Sequence, residues 1–202
     1  MDFSTFFSLL EERRSCRSFQ PEPLPREDEI VMIIRAGQQA PNPLNLQPWS
    51  FVVITDAEIK KELRQAGEEA KQQVLDQGGP GWVGGFSIDF MEEAPLVIAV
   101  VVDPAKGGLG DYFNQQTGSI QAGSACIQNM MLAASVLGYG SLWFTFFDPA
   151  RVKPILEIPE NLELAGLVYI GRPAGKIPAS RRRAAVIYDG RFGKGKEYKP
   201  AD

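Results

Sequence analysis

The sequence predicts an α+β fold in a single domain covering residues 1–202, and three observations lead there. Two apolar runs, Trp49–Ile54 and 95–102, have strand length and strand composition. Several other segments carry apolar residues at helical spacing. Strands and helices mix without the strict alternation that a parallel sheet needs.

Phe3, Phe6, Phe7 and Leu10 form one face of an opening helix, with Ser4 as its expected N-cap. Ile30, Ile33, Ile34 and Gly37 repeat that spacing in a second helix, which the Ala40-Pro41 step ends. Trp49–Ile54 is the first strand. Thr55 and Glu58 read as a capping box for a helix whose inner face is Ile59, Leu63, Ala66, Ala70 and Val74. Residues 77–85 hold five glycines and a proline and form a loop. Trp82, Phe86 and Phe90 recur every fourth residue around its end, and the reading expects a mobile aromatic lid over 78–90. Residues 95–102 form a strand buried on both faces, and 103–111 a second glycine-rich loop. The longest helix, 118–137, is apolar almost all round apart from a stripe of Gln121, Ser124, Gln128 and Ser135. Such a helix belongs in a core or an interface. Gly138 and Gly140 end it. Asp148-Pro149 starts a short helix, and 167–170 and 185–188 are the last expected strands.

The chain has 202 residues, 44% of them hydrophobic and 23% charged, as in ordinary globular domains. A net charge of −4 and a pI near 5.1 argue against nucleic acid or an anionic membrane as partner. No signal peptide is visible and no apolar run is long enough to span a bilayer, so a cytoplasmic location is expected. With two cysteines and no histidine, a zinc site is not expected. Cys16 and Cys126 read as buried thiols, although the arginines around Cys16 could also lower its pKa and make it reactive.

Two segments carry chemistry. Arg13-Arg14-Ser15-Cys16-Arg17 puts three guanidiniums and a hydroxyl at a helix end, which suits a phosphate monoester. A solvated helix end would show the same run. A second basic cluster, Arg181-Arg182-Arg183, at the other end of an acidic chain suggests that both converge on one dianion. Ala40-Pro41-Asn42-Pro43-Leu44-Asn45-Leu46-Gln47-Pro48-Trp49 is a proline-fixed turn offering amides to a planar hydrogen-bonding edge, or simply a turn. A phosphate at one end and a planar heterocycle at the other describe flavin mononucleotide.

These segments resemble the FMN-binding segments of the nitroreductase family, in which R-R-S-x-R opens the chain and P-S-x-x-N-x-Q-P-W follows. The resemblance continues through Gln128-Asn129-Met130-Met131-Leu132-Ala133-Ala134, Leu137-Gly138-Tyr139-Gly140, Ile158-Pro159-Glu160 and 168–173. It ends at Arg181-Arg182-Arg183 and leaves 76–94 unmatched. It implies a mixed sheet wrapped by helices in a domain-swapped homodimer, with the central helix against its two-fold mate and the C-terminal strand crossing to the partner's sheet.

The resemblance also implies the site. Arg13, Ser15, Arg181 and Arg183 take the phosphate and ribityl end, Arg14 lies along the ribityl chain, and Arg17 approaches the flavin N1–O2 edge. Pro41, Asn42, Pro43 and Asn45 line the ring, some of them in the other subunit's site. Thr145 and Phe146 supply backbone N–H groups near N5 and O4. The implied activity is ping-pong reduction of nitroaromatics, quinones or similar acceptors by NAD(P)H, carried by FMN N5 with no catalytic side chain. No Gly-x-Gly-x-x-Gly follows a strand, so the nicotinamide would stack on the flavin. A dehalogenase or flavin-destructase of the same superfamily, or a non-catalytic FMN sensor, would look alike at this level.

Overall fold

The strand Leu96–Val102 (β2) is buried at every position because helices cover both of its faces. Its residues alternate between two cores, as the two-residue period of a strand requires. Leu96, Ile98, Val100 and Val102 face the helices Glu27–Gly37 (α2) and Gly118–Val136 (α5). Val97 and Ala99 face the opposite core, which includes Leu63 of Ala57–Asp76 (α3), Phe90 of the short helix Phe90–Glu93 (α4) and Val152 of Pro149–Ile155 (α6). The structure, a computed structural model, describes residues 2–178 and 182–194.

Trp49–Ile54 (β1), Gly140–Phe144 (β3) and Glu163–Gly171 (β4) complete a four-stranded sheet in the order β1-β2-β4-β3. All three strand pairs are antiparallel. Parallel pairing, expected of a mixed sheet, occurs among the described residues only as an isolated bridge between Ser15 and Ser141. This arrangement is an α+β layer with one helical layer on each side. The opening helix Phe3–Glu12 (α1) lies on α5 and buries none of its residues. Phe3, Phe6 and Phe7 are all exposed.

Several local expectations are corrected. Asp2, not Ser4, caps α1 by accepting from Thr5 N–H at 2.8 Å. Asp56, not Thr55, caps α3, accepting from Glu58 and Ile59. A carboxylate makes the stronger acceptor in both places. Soon after α5 comes a strand, β3, that the helix-ending glycines Gly138 and Gly140 concealed. Residues 185–188 are in no strand within this chain. Phe90 is 1% exposed, wedged edge-on against Phe144 and Tyr169 at 5.3 and 5.1 Å, so it belongs to the core and not to a lid.

Candidate functional site

Arg13 sits at the point where the chain leaves α1 and turns extended. From there the chain is stitched between β3 and the segment following β4. Cys16 N–H donates to Ser141 C=O at 2.9 Å, Gln20 N–H to Arg172 C=O at 2.8 Å, and Ala174 N–H to Ser18 C=O at 3.1 Å. These bonds fix the backbone path of residues 15–20; Arg13, Arg14 and Ser15 are half-buried, Cys16 is buried and Arg17 is exposed.

Three cavities follow that segment. One of about 660 Å³ lies between α1 and α5 and is lined by Phe7, Leu10, Glu11, Arg13, Arg14, Gln128 and Arg182. Another of about 210 Å³ includes Arg13, Arg14, Ser135 and Tyr139. A third of about 380 Å³ is lined by Ser15, Cys16, Arg17, Ser18 and 174–178, including Lys176. Burial, and then the nearby Arg182 and Arg14, pull the Arg13 guanidinium below its usual pKa. Among the described residues, none of Arg13, Arg14, Arg17 and Arg182 forms an ion pair. Three guanidiniums outnumber the one carboxylate, Glu11, in the larger cavity, and none of them is paired with it, so the net charge there favours an anion.

The resemblance points to both basic clusters and, in the second, to Arg181 and Arg183; the described residue of that cluster that lines a cavity is Arg182. Arg182 and Arg183 are both exposed, and only Arg182 lines the cavity beside Arg13. Arg181 lies outside the described residues. Gln128 and Lys176 were also missed as lining residues. The signal for Gln128 was its place on the polar stripe of a helix otherwise apolar.

Cys16 is the buried thiol expected from the sequence, and its environment does not favour the reactive alternative. Cys16 is 1% exposed and donates to Ser18 C=O at 3.1 Å. Burial pushes its pKa up, and this outweighs the lowering by Arg17.

The 41–47 turn lies elsewhere. Pro43 abuts Gly108 and Gly118, at the start of α5, whereas Gln128 and Ser135 mark the arginine cavities. Ten helical residues at 1.5 Å each put the turn and the first cavity about 15 Å apart along α5. Asn42 is used internally: its Oδ1 accepts from Gln47 N–H at 2.8 Å and its Nδ2 donates to Ala40 C=O at 3.3 Å. Its amide therefore builds the turn instead of facing a ligand. Asn45 is exposed, and Leu44, Asn45 and Gln47 all have positive φ, at 50°, 54° and 46°. Such strain persists only where the surroundings enforce it.

Thr145, just beyond β3, is exposed, whereas the Phe146 ring turns back toward Phe144 at 6.3 Å. Of the expected lid, Trp82 is 66% exposed and meets Phe86 edge-on at 6.1 Å. Ile88 and Phe90 anchor the segment in the core.

The Nitroreductase family profile matches residues 10–172. The chain belongs to the Nitroreductase family. Among its relatives, the iodotyrosine deiodinase of Danio rerio is 28% identical over 198 residues, covering 88% of this chain. The chain spans only 64% of that deiodinase. The NADH dehydrogenase of Thermus thermophilus is 28% identical over 191 residues, covering 81% of this chain and 84% of that protein. An oxidised iodotyrosine deiodinase bound to FMN and 3-iodo-L-tyrosine superposes with a TM-score of 0.79 at 22% identity, covering 92% of this chain and 99% of that one. A nitroreductase with bound FMN from Desulfitobacterium hafniense gives a TM-score of 0.68 at 22% identity, covering 91% and 96%. The chain thus shares its fold with FMN-binding members of the family. No described helix is long and apolar enough to cross a membrane.

Proposed function

We propose that this protein is an FMN-dependent oxidoreductase that takes electrons from NAD(P)H and passes them to flat, electron-poor acceptors such as quinones and nitroaromatics. The observation that carries the reading is the set of unpaired guanidiniums, Arg13, Arg14 and Arg182, around one cavity. Their charge calls for a dianion, and a phosphate monoester supplies it with oxygens matched to guanidinium forks. Bound FMN would supply hydride chemistry at N5, in two half-reactions that share one face of the ring.

The chain's own residues then have distinct tasks. Arg13 and Arg182 hold the phosphate, and Arg14 and Ser15 extend along the linker. Arg17 places a fixed cation near the ring edge that gains charge on reduction. The backbone N–H groups of Thr145 and Phe146 donate toward N5 and O4, which a phenyl side chain does not prevent. Asn45 and the proline turn complete the ring site. Because that turn and the arginines occupy opposite halves of α5, they serve one flavin most simply if two copies pair α5 antiparallel about a two-fold axis. The working unit is therefore a homodimer with two shared sites.

Deiodinase relatives give reductive dehalogenation a place as the second reading. A free amino acid brings a carboxylate that needs a cation, yet residues 77–94, which carry Trp82 and Phe86, contain no lysine or arginine. That composition favours uncharged aromatic acceptors. The test is anaerobic: the yellow protein should bleach with NADH or NADPH and recover its absorbance with menadione. Faster recovery with 3-iodo-L-tyrosine, with release of iodide, would favour the second reading. A colourless protein, or one carrying FAD, would overturn both.

A further inference from the structure

A further cavity, of about 380 Å³, shares no lining residue with those along the arginine segment. It lies at the end of the sheet where β1 stops and β2 starts. Thr55 follows the last residue of β1, Pro95 precedes the first of β2, and Ile54 pairs with Val97 in the antiparallel register. The apolar part of its wall is Pro21, Pro23, Pro95 and Leu24. Proline rings hold their shape and bring no N–H of their own. The side chains left to recognise a ligand are Glu22, Thr55 and Lys60.

Lys60 is held in place. Its Nζ donates to Glu92 C=O at 3.2 Å and to Ala94 C=O at 3.1 Å, at the C-terminal end of α4. An ammonium has three N–H groups, so one remains. Among the described residues no carboxylate forms an ion pair with it, and that of Glu92 is drawn to Arg64 at 3.6 Å. Burial pulls the Lys60 pKa down, and this outweighs the raising by Glu92 and Asp56. Thr55 is exposed, and because Asp56 caps α3 its hydroxyl is not spent on the helix.

We infer that this cavity binds a small monocarboxylate with a compact aliphatic body. Its carboxylate takes the third N–H of Lys60 and the Thr55 hydroxyl, and its body lies on the proline wall. A few placed polar groups in an apolar wall are the usual make-up of a small-molecule site, and the volume falls within the range of such sites. Glu22 limits the ligand to one negative charge, since a phosphate or dicarboxylate would be repelled. Plain carboxylic acids and amino acids both carry the required group, and only the second brings an ammonium that Glu22 can pair. No flavin takes part, so protein with or without FMN should bind alike.

The test titrates the protein as purified with 4-methylpentanoate and with L-leucine, which share one aliphatic body, and follows backbone amide resonances. Shifts should saturate and centre on residues 22, 24, 55, 60 and 94. Isoamylamine, the same body without a carboxylate, and inorganic phosphate should leave them in place. Lys60→Met should weaken the tighter ligand about tenfold or more, as loss of a charged hydrogen bond implies. Thr55→Val, at an exposed position beyond the sheet pairing, should weaken it about threefold. Glu22→Gln identifies the source: tighter 4-methylpentanoate assigns a carboxylic acid, and weaker leucine an amino acid. Absence of saturable shifts at these residues overturns the inference, as does isoamylamine binding as tightly as 4-methylpentanoate. Wild-type affinity in Lys60→Met also overturns it. If that variant fails to fold because α4 loses its lysine, Thr55→Val decides, and unchanged affinity there overturns the site.

Discussion

Arg13 carries a cost in the empty protein, because burial and two neighbouring guanidiniums all work against its charge. Arg13→Ala should therefore leave apo-protein thermal stability unchanged or slightly raised, while FMN affinity falls by the value of a charged hydrogen bond, ~1.5–3 kcal/mol. Calorimetry with and without FMN checks both signs; a destabilised apo-protein with normal affinity would make Arg13 structural. The same comparison between Arg182→Ala and Arg183→Ala should weaken binding more in the first. The arginine clusters were legible because charge against an acidic background stands out in one dimension. Their membership was not, since which of three successive arginines reaches a cavity depends on backbone path. Cys16 was read correctly as a buried thiol, and burial, not its arginine neighbours, decides its pKa. Cys126 shows the same effect more strongly, with its thiol pushed from 9.0 up to about 12. A raised folded-state pKa means that this contribution to stability is intact below about pH 9 and is lost as pH rises toward 12. Denaturation midpoints across that range should fall less steeply in Cys126→Ala.

At the level of elements, α2 and α5 approach closely at Gly37, where a Cβ would lie 2.7 Å from Met130 Cγ and 2.8 Å from Cys126 Sγ. Gly37→Ala should cost about 1–3 kcal/mol as the helices are forced apart. A denaturant midpoint unchanged from wild type would show that Met130 swings clear. The segment after α3 separates two aromatic roles that equal spacing had merged. Phe90→Ala should cost about 3–5 kcal/mol, because its ring fills the core. Trp82→Ala should leave stability within about 0.5 kcal/mol of wild type, while shifting acceptor preference. Helices α2, α3 and α5, and strands β1 and β2, were legible because each carries a clean period or a continuous apolar run. Strand β3 was not, since Gly140 and Ser141 carry little strand propensity and its pairing with β4 is set only in three dimensions.

The molecule as a whole leaves apolar surface that one copy cannot cover. Phe3, Phe6 and Phe7 line α1, Val136 ends α5, and Val186, Ile187, Tyr188 and Phe192 follow the arginine cluster, all exposed. Strand β1 is a sheet edge with no charged residue or proline, the kind of edge that another strand can join. Residues 185–188, apolar and β-branched in part yet unpaired within their own chain, have the composition to join it in a second copy. Flavin binding and dimer formation should then be linked, because arginines from one chain and the turn at Pro43 from the other meet on the same ligand. Removing everything after residue 178 deletes the tail and Arg182 together, so it should abolish both the dimer and the bound flavin. The more selective test is Val186→Asp/Ile187→Asp, which keeps every arginine. Sedimentation of this variant should give a monomer, and its FMN should be lost on dilution although the phosphate ligands remain. A flavin-loaded monomer at submicromolar concentration would show that a single chain builds the whole site, and the shared-site dimer would have to be abandoned.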